Sequence, residues 1–167
     1  GSEMCIRDRG EGCPFDGANW ATYFSYTVQG WVLYETLTVP ATTATPTVST
    51  KSLDSGETYK IVASGTYYFR NYGSTQGYLA DAEWALRNDA YGTGWVKGDA
   101  APYSEPYNGL DLCTNAGTNI DWGDLDEATH TYTIYYTGTG TLLSLFIKDN
   151  VYTDNSGSLI VKIYEWA

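Results

Sequence analysis

The last third of the chain allows very few folds. Over residues 129–137, His130, Tyr132, Ile134 and Tyr136 share one face and alternate with Thr131, Thr133 and Tyr135. That is the period of two of a half-buried strand, which a helix cannot accommodate. Gly138-Thr139-Gly140 then turns the chain. Residues 142–148 are apolar on both faces, as expected of a strand in the middle of a sheet. Residues 158–166 close the pattern, with Leu159, Val161 and Ile163 directed inward. Three strands in forty residues, joined by short polar turns, predict antiparallel pairing.

The same signals recur upstream. Residues 19–39 read as two strands broken at Gly30, the first carrying Trp20, Thr22, Phe24, Tyr26 and Val28 in alternation. A Thr- and Pro-rich joint follows at 40–46, either a linker or an exposed edge. Leu53-Asp54-Ser55-Gly56 is a turn, residues 58–65 a strand, and residues 66–69 continue it past Gly65. Residues 78–86 are read as a strand or a short turn of helix. Residues 88–127 are loop-like, with short strands near Trp95 and Leu112. Sixteen Tyr, eighteen Gly and a single Met favour pleated surfaces and tight turns over helices. The fold class is therefore all-β, an antiparallel β-sandwich, with a jelly-roll variant as the near alternative.

Charge excludes some functions. Twenty Asp and Glu stand against nine Lys and Arg, a net charge of −11. With no basic patch to displace phosphate counterions, nucleic acid is not an expected partner. Anionic lipid surfaces are disfavoured for the same reason. No apolar run approaches a membrane-spanning length, so no membrane insertion is expected.

The first nine residues stand apart. Ser2-Glu3-Met4-Cys5-Ile6-Arg7-Asp8-Arg9 resembles a translated sequencing adapter of the kind found at the ends of environmental (metagenomic) assemblies. Removing Glu3, Asp8, Arg7 and Arg9 together leaves the net charge at −11. Three segments are expected: the adapter-like 1–9; strands and joint at 10–46, open to exchange with a neighbouring chain; and a sandwich domain at 47–167. Cys13 and Cys113 either form one disulfide, which would fit an exported protein, or are unrelated thiols. Two cysteines and one His make no zinc pattern.

One turn is unusually rich in oxygen. Asp149-Asn150-Val151-Tyr152-Thr153-Asp154-Asn155-Ser156-Gly157-Ser158 lies between two predicted strands. Hard cations such as Ca2+ take six to eight oxygen ligands. Asp149, Asp154 and Asn155 can supply side-chain oxygens, and Val151 or Tyr152 a carbonyl. A polar hairpin has the same composition. Asp81 and Glu83 sit in an otherwise apolar stretch, where a carboxylate must be paired, bound to a metal, or turned to solvent. They are candidate supplementary ligands. Asp121, Asp124 and Asp126 form another acidic cluster, read as a solvated turn ahead of a cation or sugar site. Trp95, Tyr103, Tyr107 and Trp122 fall in loop-like sequence, where aromatic rings are placed to stack on sugars. No Gly-x-Ser-x-Gly elbow, His-Glu-x-x-His motif or phosphate loop is present, and no enzyme is expected.

Two segments resemble the bacterial calcium-dependent, galactose-binding lectin family. One is Leu53-Asp54-Ser55-Gly56-Glu57-Thr58-Tyr59-Lys60-Ile61-Val62-Ala63-Ser64-Gly65. The other is Asp149 to Ser158, continuing into Leu159-Ile160-Val161-Lys162-Ile163. Together they cover about a third of the chain. The resemblance implies a sandwich fold and calcium held by Asp149, Asp154 and Asn155 with a carbonyl near Val151 or Tyr152. It implies a further carbonyl near Phe69, and an ion that itself coordinates sugar hydroxyls. The chain departs from the family in a loop about two residues shorter, in Asp154 where the family has an amide, and in a much longer 70–128 region. The expected function is an extracellular, non-enzymatic calcium-binding module for carbohydrate or adhesion. The alternative is a structural subunit of a fibre, tube or surface layer, binding other copies of itself by strand donation from residues 19–39.

Overall fold

The computed structural model describes residues 29–69, 78–89, 92–98, 110–114 and 119–167. Tyr103, Tyr107, Cys13 and the strand expected at 19–28 lie outside them. The chain divides into Gly1–Gly30 and Trp31–Ala167, and the described fold belongs to the second unit.

That unit is all-β among its described residues. Its strands are β1 (Trp31–Pro40), β2 (Thr47–Leu53), β3 (Thr58–Ser64), β4 (Tyr67–Phe69), β5 (Tyr78–Ala80), β6 (Trp84–Asp89), β7 (Gly92–Lys97), β8 (Asp111–Thr114), β9 (Thr131–Thr137), β10 (Thr141–Lys148) and β11 (Ser156–Trp166). Every pairing among them is antiparallel. The larger sheet runs β7-β6-β5-β4-β11-β3-β9, with β1 on the other edge of β11. The smaller sheet runs β2-β10-β8. β10 is central in it, as its two apolar faces require.

The two sheets enclose one core. Leu37, Val39, Ile61, Tyr132, Leu159, Val161 and Ile163 face inward from the larger sheet, and Leu53, Leu143, Leu145 and Ile147 meet them from the smaller. The alternation read from the sequence in residues 129–137 and 158–166 is therefore the inward–outward alternation of β9 and β11.

Several local expectations are corrected. Residues 78–86 hold no helix: β5 and β6 are joined by a bend through Asp81, Ala82 and Glu83. His130 is not in β9. It precedes the strand with φ of 47°, in the left-handed region, and its ring still converges with Tyr132 on Asp81. β2 offers no alternation to read from Thr47 to Leu53, because polar residues occupy both faces, the buried Ser49 among them. The joint at 40–46 connects β1 to β2 and is mostly exposed, but it starts against the core. Ala41 is fully buried, and its N–H donates to Gly157 O at 3.0 Å. β1, expected to lie outside the sandwich domain, pairs with β11 of its own chain from Trp31–Trp166 to Pro40–Ser158.

Candidate functional site

Loop 149–155 connects the central strand of one sheet to the central strand of the other. β10 delivers Asp149 and β11 begins at Ser156, so both ends of the loop are fixed by pairing. Asp149 organises the turn from within. Its Oδ1 accepts the N–H groups of Asn150 (2.6 Å) and Val151 (3.2 Å), and its Oδ2 accepts Asn155 Nδ2 at 2.8 Å. Tyr152 pins the turn with its hydroxyl, which accepts the Asp149 N–H at 3.1 Å and donates to Ile147 O at 3.0 Å. Asn155 N donates to Tyr152 O at 3.3 Å.

Asn155 is buried, and its amide is oriented by two acceptors: Nδ2 also donates to Ala41 O at 2.9 Å. The amide oxygen is thereby aimed away from both. It is buried without a hydrogen-bond donor, a costly state for a polar atom. Beneath the loop, the buried Tyr67 hydroxyl is also without a partner. Burial pushes that phenol far above its ordinary range, and the charges of Asp149 and then Asp111 add to the effect. Asp111 itself is 1% exposed. Negative charge and unfilled oxygen valence thus gather around this loop, an arrangement suited to a cation.

Of the residues expected to contribute, Asp149 and Asn155 meet directly, and Val151 and Tyr152 lie in the same turn. Asp154 is half-buried in it. Phe69 ends β4, which pairs with the start of β11 through Tyr68–Ser156 and Tyr67–Gly157. Among the described residues no three His, Cys, Asp or Glu side chains form a shared metal-binding group. A cation here would depend on amide and carbonyl oxygens as well as on carboxylate.

Asp81 and Glu83 do something else. Both are 1% exposed, so the solvent-facing alternative is overturned. Asp81 Oδ1 accepts Glu83 N at 3.0 Å and Trp84 N at 2.8 Å, closing the bend between β5 and β6. Its Oδ2 accepts Tyr132 OH at 2.7 Å and lies 2.8 Å from His130 Nδ1, which is the donor against a carboxylate. Glu83 Oε2 accepts Trp122 N at 2.7 Å, and Oε1 pairs with Lys97 Nζ at 3.0 Å. Lys97 also reaches Asp121 Oδ1 at 2.8 Å, and these two carboxylates, Asp121 first, hold its ammonium above the usual lysine range. The expectation that Asp81 and Glu83 supplement a calcium site is corrected: these buried acids are paired with protein donors.

The aromatic candidates separate. Trp122 is not an accessible platform. It is 3% exposed, with Nε1 donating to Leu112 O at 2.9 Å. Trp95 lies in β7, with its ring centroid 4.9 Å from that of His130. Asp126 is a turn former, accepting the N–H groups of Ala128 and Thr129 and the Thr129 hydroxyl. Cys113 is a free, buried thiol, so no disulfide joins it to Cys13. Residues missed from the sequence are Ala41, Tyr67 and Asp111. Only Asp111 carried a signal, a carboxylate inside the apolar run Leu110-Asp111-Leu112-Cys113.

No protein-family model matches the chain, and no curated protein matches it. Among solved structures it is similar to one described as the EclA N-terminal domain, a PllA-like lectin. The two are 19% identical, the match covers 81% of this chain and 97% of the other, and the TM-score is 0.46.

Proposed function

We propose that the chain is a non-enzymatic, extracellular carbohydrate-binding β-sandwich whose loop 149–155 holds a calcium ion. The observation that carries this reading is the Asn155 amide oxygen, buried without a donor beside the Asp149 carboxylate. A cation supplies what that atom lacks. Asp149, Asn155 and Asp154 would hold the ion, with carbonyls from Val151, Tyr152 and Phe69. Calcium would offer a Lewis-acidic centre for vicinal sugar hydroxyls, while the loop's fixed ends set its position. The buried acids also favour binding over hydrolysis. Asp81 and Glu83 are closed off by His130, Tyr132, Lys97 and Trp122, which leaves neither free to act as a paired acid and base on a glycosidic bond.

Thermal melting with calcium and with chelator tests the ion. At a hundredfold excess over Kd, a site confined to the folded state stabilises by about 2.7 kcal/mol, a rise of roughly 5–10 °C in Tm. Asp149→Asn and Asn155→Ala should remove that rise. A glycan array read with and without chelator tests the sugar. Equal Tm in calcium and chelator would overturn the calcium site, and no chelator-sensitive glycan would overturn the recognition role.

A further inference from the structure

The outer face of the larger sheet has a composition unlike the rest of this acidic chain. Register places Tyr135, Lys60, Tyr164 and Leu33 in one row across β9, β3, β11 and β1, with Trp31 opposite Trp166 in the next. Tyr135 is 65% exposed and Trp166 55%. The rings are held against one another. Trp31 lies 5.3 Å from Trp166 and 5.7 Å from Tyr135, centroid to centroid. Lys60 Nζ sits 4.5 Å from the Tyr164 centroid and 5.4 Å from that of Trp31.

Lys162 projects from the same face, two residues before Tyr164 and diagonal to Lys60. Diagonal neighbours on paired strands are roughly 7–8 Å apart. Two lysines so placed on one face concentrate positive charge that an anion would offset. None is supplied by the face itself, since the outward positions of these four strands include no Asp or Glu. Glu165 points to the opposite side, where its charge acts on Tyr34, and Glu35 accepts Thr50 N there. In a chain with twenty acidic residues and nine basic ones, a carboxylate-free face with paired lysines and exposed rings is complementary to a ligand that is both anionic and rich in C–H surface.

We propose that this face binds an anionic polysaccharide, with Trp166 and Tyr135 stacking on sugar rings and Lys60 and Lys162 pairing with uronate carboxylates. It lies at the far end of β11 from the calcium loop. Trp166 is the last of the eleven residues of β11 that follow Asn155, roughly 35 Å away at the rise of an extended chain. Binding here is therefore independent of the ion at loop 149–155.

Affinity electrophoresis of the full chain through gels containing polygalacturonate, with neutral dextran as the control and EDTA throughout, tests the proposal. The expected result is retardation by polygalacturonate alone that weakens as salt rises. Lys60→Gln/Lys162→Gln should weaken apparent affinity by about tenfold or more, with Lys60→Arg/Lys162→Arg restoring it. Trp166→Ala should weaken it at unchanged Tm, which separates a lost contact from a lost fold. No retardation, or retardation indifferent to the glutamine pair, overturns the proposal. So does sedimentation showing a dimer that only the glutamine pair dissociates, because the face would then be covered by a second copy. Because EDTA is present throughout, failure of the calcium reading leaves this result standing.

Discussion

Asp81 satisfies four donors with one carboxylate: two backbone N–H groups, the Tyr132 hydroxyl and the His130 ring nitrogen. This arrangement makes a buried charge tolerable, and it also makes the residue hard to replace. Asp81→Ala leaves those groups unpaired in a closed site and should cost about 3–5 kcal/mol in urea unfolding. Asp81→Asn keeps an oxygen for the two N–H groups but turns a donor toward Tyr132 and His130, so a smaller loss of about 1–3 kcal/mol is expected. A cost for Asp81→Ala no greater than for a surface site would contradict this accounting. The sequence showed that an acid in an apolar stretch needs a partner. It did not show which one, because Tyr132 and His130 lie 51 and 49 positions away. Trp122 illustrates the same blindness. Its neighbours Asp121, Gly123 and Asp124 read as exposed loop, yet the indole is buried by a hydrogen bond to Leu112 O, a contact that local composition does not encode.

At the scale of elements, strands with one apolar and one polar face were legible, and strands defined by partners were not. β9 and β11 followed from alternation, and β10 from a run apolar on both faces. β2 did not, because at its polar positions it has the composition of a loop and becomes a strand by pairing with β10. The turn that brings these elements together rests on a close approach at Gly138. Its N–H donates to Glu57 O and its carbonyl accepts from Gly56 N. A methyl group placed on it would meet Asp54 O at 2.1 Å and Leu53 C at 2.9 Å. Both are backbone atoms, so the turn between β2 and β3 has to move. Gly138→Ala should therefore cost about 2 kcal/mol, roughly 4–8 °C in Tm for a chain of this length. Scanning calorimetry reads it directly, and an unchanged Tm would show the turn to be looser than its contacts imply. Loop 149–155 belongs to this scale too. Its placement between strands was visible in sequence, but its tie to the joint at Ala41 was not, since an alanine carbonyl carries no signature.

For the molecule as a whole, the larger sheet separates two surfaces by the length of β11, and the core beneath them holds acids whose protons are hard to remove. Burial pushes the Cys113 thiol from about 9 up to about 12, with the Asp111 charge adding to it. Burial likewise raises Tyr132, joined by its hydrogen bond to the Asp81 carboxylate, and burial raises Tyr67 as well. The sign follows from proton counting. Well below pH 9 the thiol is neutral in both states and contributes no pH dependence. Between about 9 and about 12 the unfolded chain has released a proton that the folded chain retains. Stability therefore falls as pH rises. The two tyrosines act in the same direction from about 10 upward. Tm should hold level from neutral pH to about 9 and then decline continuously. Cys113→Ala should make the decline shallower while lowering Tm modestly at pH 7 through the cavity it leaves. A wild-type Tm that stays flat to pH 11, or a decline as steep in Cys113→Ala as in the parent, would show that these groups ionise without unfolding the sandwich around them.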